Sequence, residues 1–216
     1  MPGRSAGADG DESMVEKIWK PNEPRGDPSR HLDLAALEDR HRRLAAGDRD
    51  LGRVSLIVRR LPDGARETPM RTRLDVETGV PGDDWVERPP RDPEAQIAVM
   101  QTGLATLIAN GQPLTTFGDN LFVTLDLSAA NLPTGTRIAV GRAVVEVTPK
   151  PHNGCSKFDA RFGNDALRFV QARETRDENR RGIYWRVVAP GEVAVGDAVR
   201  VLERPVLDAP VRASLS

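Results

Sequence analysis

Residues 136–148 read "TRIAVGRAVVEVT". Two runs rich in valine and alanine lie on either side of Gly141. Short β-branched runs bounded by turn residues read as β-strands. The signal recurs through the second half of the chain: "LFVTL" spans Leu121 to Leu125, and "GIYWRVV" and "DAVRVLE" flank the connection "APGEVAVG". Strand signals about ten residues apart, punctuated by Gly and Pro, predict a barrel or a sandwich. Upstream, "VSLIVRRL" alternates Val54, Leu56 and Val58 on one face, and Pro62-Asp63-Gly64 forms a turn.

Three helices accompany these strands. "PSRHLDLAALEDRHRRLAAG" has Ser29 as cap, a stripe of Leu34, Leu37, Leu44 and Ala45, and Gly47 as stop. His31 and His41 lie on it as solvated residues, ten apart and without metal-ligand spacing. "DPEAQIAVMQTGLATLIANG" gives the clearest helical pattern. Asp92 caps it, Pro93 takes the first turn, and Ile97, Met100, Leu104, Leu107 and Ile108 share a face. A short helix is expected from Asn164 to Ala172. The first thirty residues are rich in Gly, Pro and mixed charge, a composition that buries too little apolar surface to offset ordering. A disordered arm is expected there, with Val15, Ile18 and Trp19 as its plausible anchors.

Charge narrows the function classes. Lys plus Arg is 31 and Asp plus Glu is 32. This balance argues against a dedicated nucleic-acid binder, which usually carries a basic surplus. No apolar run approaches the roughly 20 residues that span a bilayer, and the N-terminus lacks the pattern of a secretory signal. A single cysteine precludes an internal disulfide and favours a reducing compartment. The expected localisation is therefore cytoplasmic, with no membrane and no nucleic-acid partner.

That cysteine, Cys155, sits in "KPHNGCSKFDARFG", Lys150 to Gly163, among Lys150, His152, Lys157 and Arg161. From Lys150 to Arg186 there are nine Lys/Arg against five Asp/Glu. Cations stabilise a thiolate, which is both nucleophile and metal ligand, and a cationic surplus also suits an anionic ligand. The alternative is a buried cysteine acting as a small hydrophobe. A P-loop, a dinucleotide fingerprint and a paired-His zinc motif are all missing.

Residues 117–163, "FGDNLFVTLDLSAANLPTGTRIAVGRAVVEVTPKPHNGCSKFDARFG", resemble the core of a MOSC domain of the stand-alone bacterial type. The resemblance is carried by Phe117-Gly118-Asp119-Asn120, the strand pair from Gly135 to Val147, Cys155, Lys157 and Arg161-Phe162-Gly163. Upstream, Gly79, Gly82 and Asp83 resemble the family's G-x-x-G-D turn. Gly154 stands where Pro is usual before the cysteine. The resemblance implies a closed antiparallel β-barrel with a few helices. The organisation then reads as an arm over 1–28, a helix over 29–48, the barrel domain over 50–204 and a tail over 205–216.

It also implies a role for Cys155 as ligand to molybdenum in a pterin cofactor, or as carrier of a persulfide. Lys150, His152, Asn153, Lys157 and Arg161 would hold the cofactor or a sulfur anion, with Asp83 and Asn120 lining the same pocket. For those last two, a turn cap and a loop-to-backbone hydrogen bond are the alternative. The first functional reading is an oxidoreductase that reduces a small-molecule substrate, such as an N-hydroxylated compound, by oxo transfer, with electrons from a partner. The second is a sulfur carrier or sulfurtransferase served by a cysteine desulfurase, including carbon–sulfur bond chemistry. The third is an anion-binding module without catalysis.

Overall fold

The computed structural model describes residues 19–87 and 89–205. Its strands are β1 (Leu51–Ile57), β2 (Arg59–Arg60), β3 (Arg66–Glu67), β4 (Arg71–Leu74), β5 (Ile97–Gln101), β6 (Leu121–Val123), β7 (Arg137–Val140), β8 (Ala143–Val147), β9 (Ile183–Ala189), β10 (Gly191–Ala194) and β11 (Ala198–Glu203). The α-helices are α1 (Leu34–Arg42), α2 (Thr102–Ala109), α3 (Ser156–Phe162) and α4 (Asn164–Gln171).

The opening stretch folds as two paired strands. Val140 pairs with Ala143, so Gly141 and Arg142 alone make the turn between β7 and β8. Gly141 has φ of 55°, a backbone region that glycine enters without a Cβ penalty. A Cβ there would also lie 2.7 Å from the Glu192 carbonyl oxygen. The sheet runs β1-β11-β7-β8-β9-β5-β6 and closes on β1, so a barrel forms rather than a sandwich. Closure leaves no open edge. Two short ribbons, β4 with β10 and β2 with β3, lie outside it.

The expected antiparallel barrel needs one correction, because β5 and β6 pair parallel. The chain between them carries α2 and the 3-10 turn Leu114–Thr116. A crossover of that length returns the second strand in the direction of the first.

The predicted helix from Asp92 to Gly111 is also corrected. It is three elements: the 3-10 turn Pro93–Ala95, strand β5 and helix α2. Asp92 does cap, accepting the Glu94 N–H at 2.9 Å. Ile97 and Val99 face the barrel interior, while Met100 packs in the helical layer outside. A strand buried on both faces has no polar–apolar alternation, so its apolar run reads equally well as a helix.

The N-terminal helix is shorter than predicted. Pro28–Arg30 is a separate 3-10 turn, and α1 starts after Asp33, whose side chain accepts the Ala36 N–H at 2.7 Å. Leu44 lies beyond its end and packs on the same layer as Leu34 and Leu37. His41 stands edge-on to Phe169 rather than in solvent. In β1 the register shifts between Val54 and Leu56. This bulge sends Val54 and Ile57 into the barrel and turns Leu56 and Val58 to the helices, against the expected alternation.

Two apolar clusters result. One fills the barrel around the fully buried Trp185; the other joins the barrel wall to the four helices and holds all five phenylalanines. Of the expected arm, residues 1–18 lie outside the described residues, and residues 19–27 run against the barrel and α3. No helix among the described residues is long and apolar enough to cross a membrane.

Gly141→Ala tests the β7–β8 turn. Strain at positive φ costs about 1–3 kcal/mol, and the Glu192 carbonyl blocks relief. The urea unfolding midpoint should fall accordingly; an unchanged midpoint would mean the turn tolerates a side chain.

Candidate functional site

The barrel register collects several of the motif residues at one rim. Leu121 pairs with both Ile57 and Val99, and Val99 with Ile183, so these four lie at one level. The residues one step beyond them are Asn120, Val58 and Tyr184, and the Arg181 side chain reaches Asp119 from two residues before Ile183. The loop after β8, Thr148 to Gly154, rises at this same end and delivers the chain to α3.

Cys155 is the residue immediately before α3, with extended backbone, and its side chain is exposed. The buried-cysteine alternative is thus set aside. Arg161, six residues further along α3, places its guanidinium near this side chain. At Gly154 a Cβ would lie 2.4 Å from Leu167 Cδ1 of α4, so a larger residue would displace that side chain. The Gly154 carbonyl accepts from Gln171 Nε2 at 2.8 Å, which pins the loop to α4.

Three charged groups surround the loop. The first is centred on Asp119, which is fully buried; Arg181 Nη1 donates to both its oxygens at 2.9 and 2.8 Å. His152 lies beside this pair, Nδ1 3.7 Å from Asp119 Oδ1, with its ring 4.2 Å from that of Tyr184. Burial pushes the His152 pKa well below the ordinary value, and Arg181 and Arg60 add to the effect. The ring is therefore neutral and no ion-pair partner of Asp119. Its Nδ1 and the Arg181 Nε have no hydrogen-bond partner among the described residues.

The second group is centred on Asp83 of the G-D turn. Arg60 donates to it through Nη2 at 2.5 Å and Nε at 2.9 Å, and its backbone N–H adds a bond at 2.8 Å. Asn120 Nδ2 donates to the same carboxylate at 2.9 Å, and its Oδ1 accepts the Ala98 N–H at 3.1 Å. Burial alone would raise the Asp83 pKa, but the Arg60 contacts outweigh it and hold the carboxyl below its usual range. Arg60 also reaches the Gly118 carbonyl at 3.0 Å, tying the two motifs together.

The third group joins Lys157 and Arg161 to Glu23, at 2.6 and 2.7 Å. Arg66 stands behind, 3.7 Å from the same carboxylate.

The sequence-predicted residues thus divide. His152, Asn153 and Gly154 line a cavity of about 480 Å³ together with Arg173, Arg176 and Arg181. Lys157 and Arg161 lie by Cys155 but bind Glu23. Asp83 and Asn120 lock Arg60. Lys150 is half exposed and paired with Asp92. Sequence reasoning missed Arg60, Arg66, Arg181, Tyr184 and Glu23, and passed over Asp119 inside a motif it had singled out. A larger recess of about 580 Å³ lies around Gly141 and β10, lined by Arg142, Glu192 and Asp197. It holds no thiol and none of the predicted site residues, so size is a poor guide here.

Among the described residues, no three His, Cys, Asp or Glu side chains come together as a metal site. A metal already held by an organic cofactor asks the protein for only one ligand. The soft Cys155 sulfur can be that ligand. The adjoining cavity is lined by Arg173, Arg176, Arg180 and Arg181, which suits an anionic cofactor. The residues present therefore fit a molybdenum-pterin group.

The MOSC domain profile matches residues 90–200, the span holding Asp119, Asn120, the cysteine loop and most of the barrel. This chain belongs to the MOSC domain family. Among solved structures, the MOSC chain is similar to the YuaD protein from Bacillus subtilis at 17% identity and a TM-score of 0.53, covering 72% of this chain and 97% of that one. It is similar to a hypothetical protein at 20% identity and a TM-score of 0.51, covering 76% and 69%. YiiM from Escherichia coli gives 21% identity, a TM-score of 0.49 and coverage of 71% of each chain. These likenesses concern the fold. No curated protein matches.

The neutral His152 makes a pH prediction. Its pKa is lower folded than unfolded, so below about pH 6.5 the unfolded chain binds the extra proton. Its stabilising share is complete above that value and is lost as pH falls toward the folded pKa. From pH 7.5 to 5.5, His152→Gln should lose about 1 kcal/mol less unfolding free energy than wild type. His41, also lowered, titrates in both proteins and cancels. Equal losses would mean His152 is already charged in the fold.

Proposed function

We propose that this MOSC protein binds a molybdenum-pterin cofactor through Cys155 and reduces a small-molecule substrate by oxo transfer. One observation carries the reading: the chain's only thiol is exposed at the start of α3, within electrostatic reach of Arg161. When bound, the cofactor supplies a metal that exchanges an oxygen atom and two electrons with substrate.

The chain's own residues do the rest. The Cys155 thiolate offers one soft ligand. Arg173 and Arg176, with no ion-pair partner among the described residues, offer charge to an anionic portion of the cofactor in the adjoining cavity. His152, neutral and unpartnered at Nδ1, offers a donor or acceptor to a neutral heterocycle without adding charge. Asp119 and Asp83 position Arg181 and Arg60 respectively; neither is free to act as a base.

A second reading has an observation of its own. Cys155 is on the surface rather than among the cavity-lining residues, so another protein's persulfide can reach it. On that reading Cys155 accepts sulfane sulfur from a desulfurase and passes it on, with no metal.

The deciding experiment is elemental and mass analysis of wild type and Cys155→Ala, purified from a host that makes the cofactor. Molybdenum and pterin in wild type, with the metal lost in the variant, is the expected result. Added sulfur that cyanide releases from wild type only, without metal, would establish the second reading. Metal content equal in both proteins would sink the ligand role of Cys155.

A further inference from the structure

The recess beside Cys155 is filled by the chain itself. Glu23 is almost fully buried, with its side chain 7% exposed, and so are Arg66 and Arg161, each 6% exposed. Among the described residues, Glu23 is the carboxylate within ion-pair distance of Arg66, Lys157 and Arg161 together. Three cations meet one anion.

The fit is incomplete in a specific way. A carboxylate has two oxygens: Oε2 accepts from Lys157 at 2.6 Å and Oε1 from Arg161 at 2.7 Å. Arg66 Nη1 donates to the Gly64 carbonyl at 2.6 Å, but its Nη2 is left 3.7 Å from Glu23, too far for a hydrogen bond, and its buried Nε has no partner among the described residues. Burial beside Arg161 pushes the Arg66 pKa down to about 10 despite Glu23. A terminal phosphoryl group presents three oxygens and up to two charges, which is what the recess lacks.

The segment carrying Glu23 is held in a way that permits release. No residue before Leu37 belongs to the described buried hydrophobic core. Residues 19–27 are held by polar contacts. Lys20 pairs with Asp84, Asn22 bonds Asp63, the Pro24 carbonyl accepts from Arg161, and Trp19 stacks against Arg25, Lys157 and Arg161. Contacts of this kind weaken against a competing ion far more than apolar burial does.

We propose that residues 19–27 are an internal plug over a phosphoryl-binding recess formed by Arg66, Lys157 and Arg161, with Glu23 as the built-in surrogate. A ligand bearing a terminal phosphoryl group displaces the plug when it binds beside Cys155. The inference builds on the proposed function only in placing ligand next to that thiol.

The test uses the full chain and inorganic pyrophosphate, with sodium chloride at matched ionic strength as control. Arg25 is exposed within the segment, so trypsin cleavage after it, followed by mass spectrometry, reports release. Pyrophosphate should raise that cleavage rate severalfold and chloride should not. Glu23→Gln should bind pyrophosphate roughly ten- to a hundredfold more tightly by calorimetry, the worth of one charge-assisted contact. Equal affinity in variant and wild type, or cleavage unmoved by pyrophosphate, would overturn the proposal. If Glu23→Gln fails to fold, the wild-type cleavage result decides alone. These readouts concern the segment and an anion, not cofactor content, so this inference and the earlier reading fail separately.

Discussion

The cysteine loop depends on a carboxylate with no access to water. Asp119 is completely buried, and its charge is met by Arg181 just before β9. Removing two ions from water costs several kcal/mol each, and only good geometry recovers it. A pair like this adds little stability but tolerates few alternative arrangements. It fixes the approach to β6 against the approach to β9, and the floor on which His152 and Tyr184 stack. Breaking one side would leave an uncompensated buried charge beneath the loop that carries the thiol.

The same logic organises the neighbouring groups. Asp83 holds Arg60, and Arg60 holds the Gly118 carbonyl next to Asp119. Arg60 thus ties the Asp83 carboxylate to the backbone beside Asp119, and the two motif acids act as a frame, each with its charge already spent on an arginine of its own. What remains for chemistry is the exposed sulfur, a neutral imidazole and cations whose partners are absent or replaceable. A site with its anions locked and its cations in reserve is suited to receive negative charge.

Much of this was legible in the sequence, for physical reasons. β7, β8 and β9 alternate buried and half-exposed positions, so their period shows in the residues. The loop around Cys155 announced itself by placing glycine, asparagine and lysine where no core strand would have them. β5 stayed hidden because both its faces are buried, which erases the alternation. The partners of the motif acids stayed hidden for another reason. Arg60 and Asp83 are 23 residues apart, and Arg181 and Asp119 are 62 apart. Only the tertiary fold brings them together, and no local spacing encodes it. Glu23 was the least visible, since it belongs to a stretch whose composition reads as unstructured.

The lone exposed cysteine has a practical side as well. With no second sulfhydryl in the chain, a dye, spin label or heavy atom attached by maleimide or mercurial chemistry goes to one known address at the barrel rim. The molecule arrives already prepared for site-directed spectroscopy. For the same reason, two chains left in air have one route to a covalent dimer, which would bury the very surface of interest.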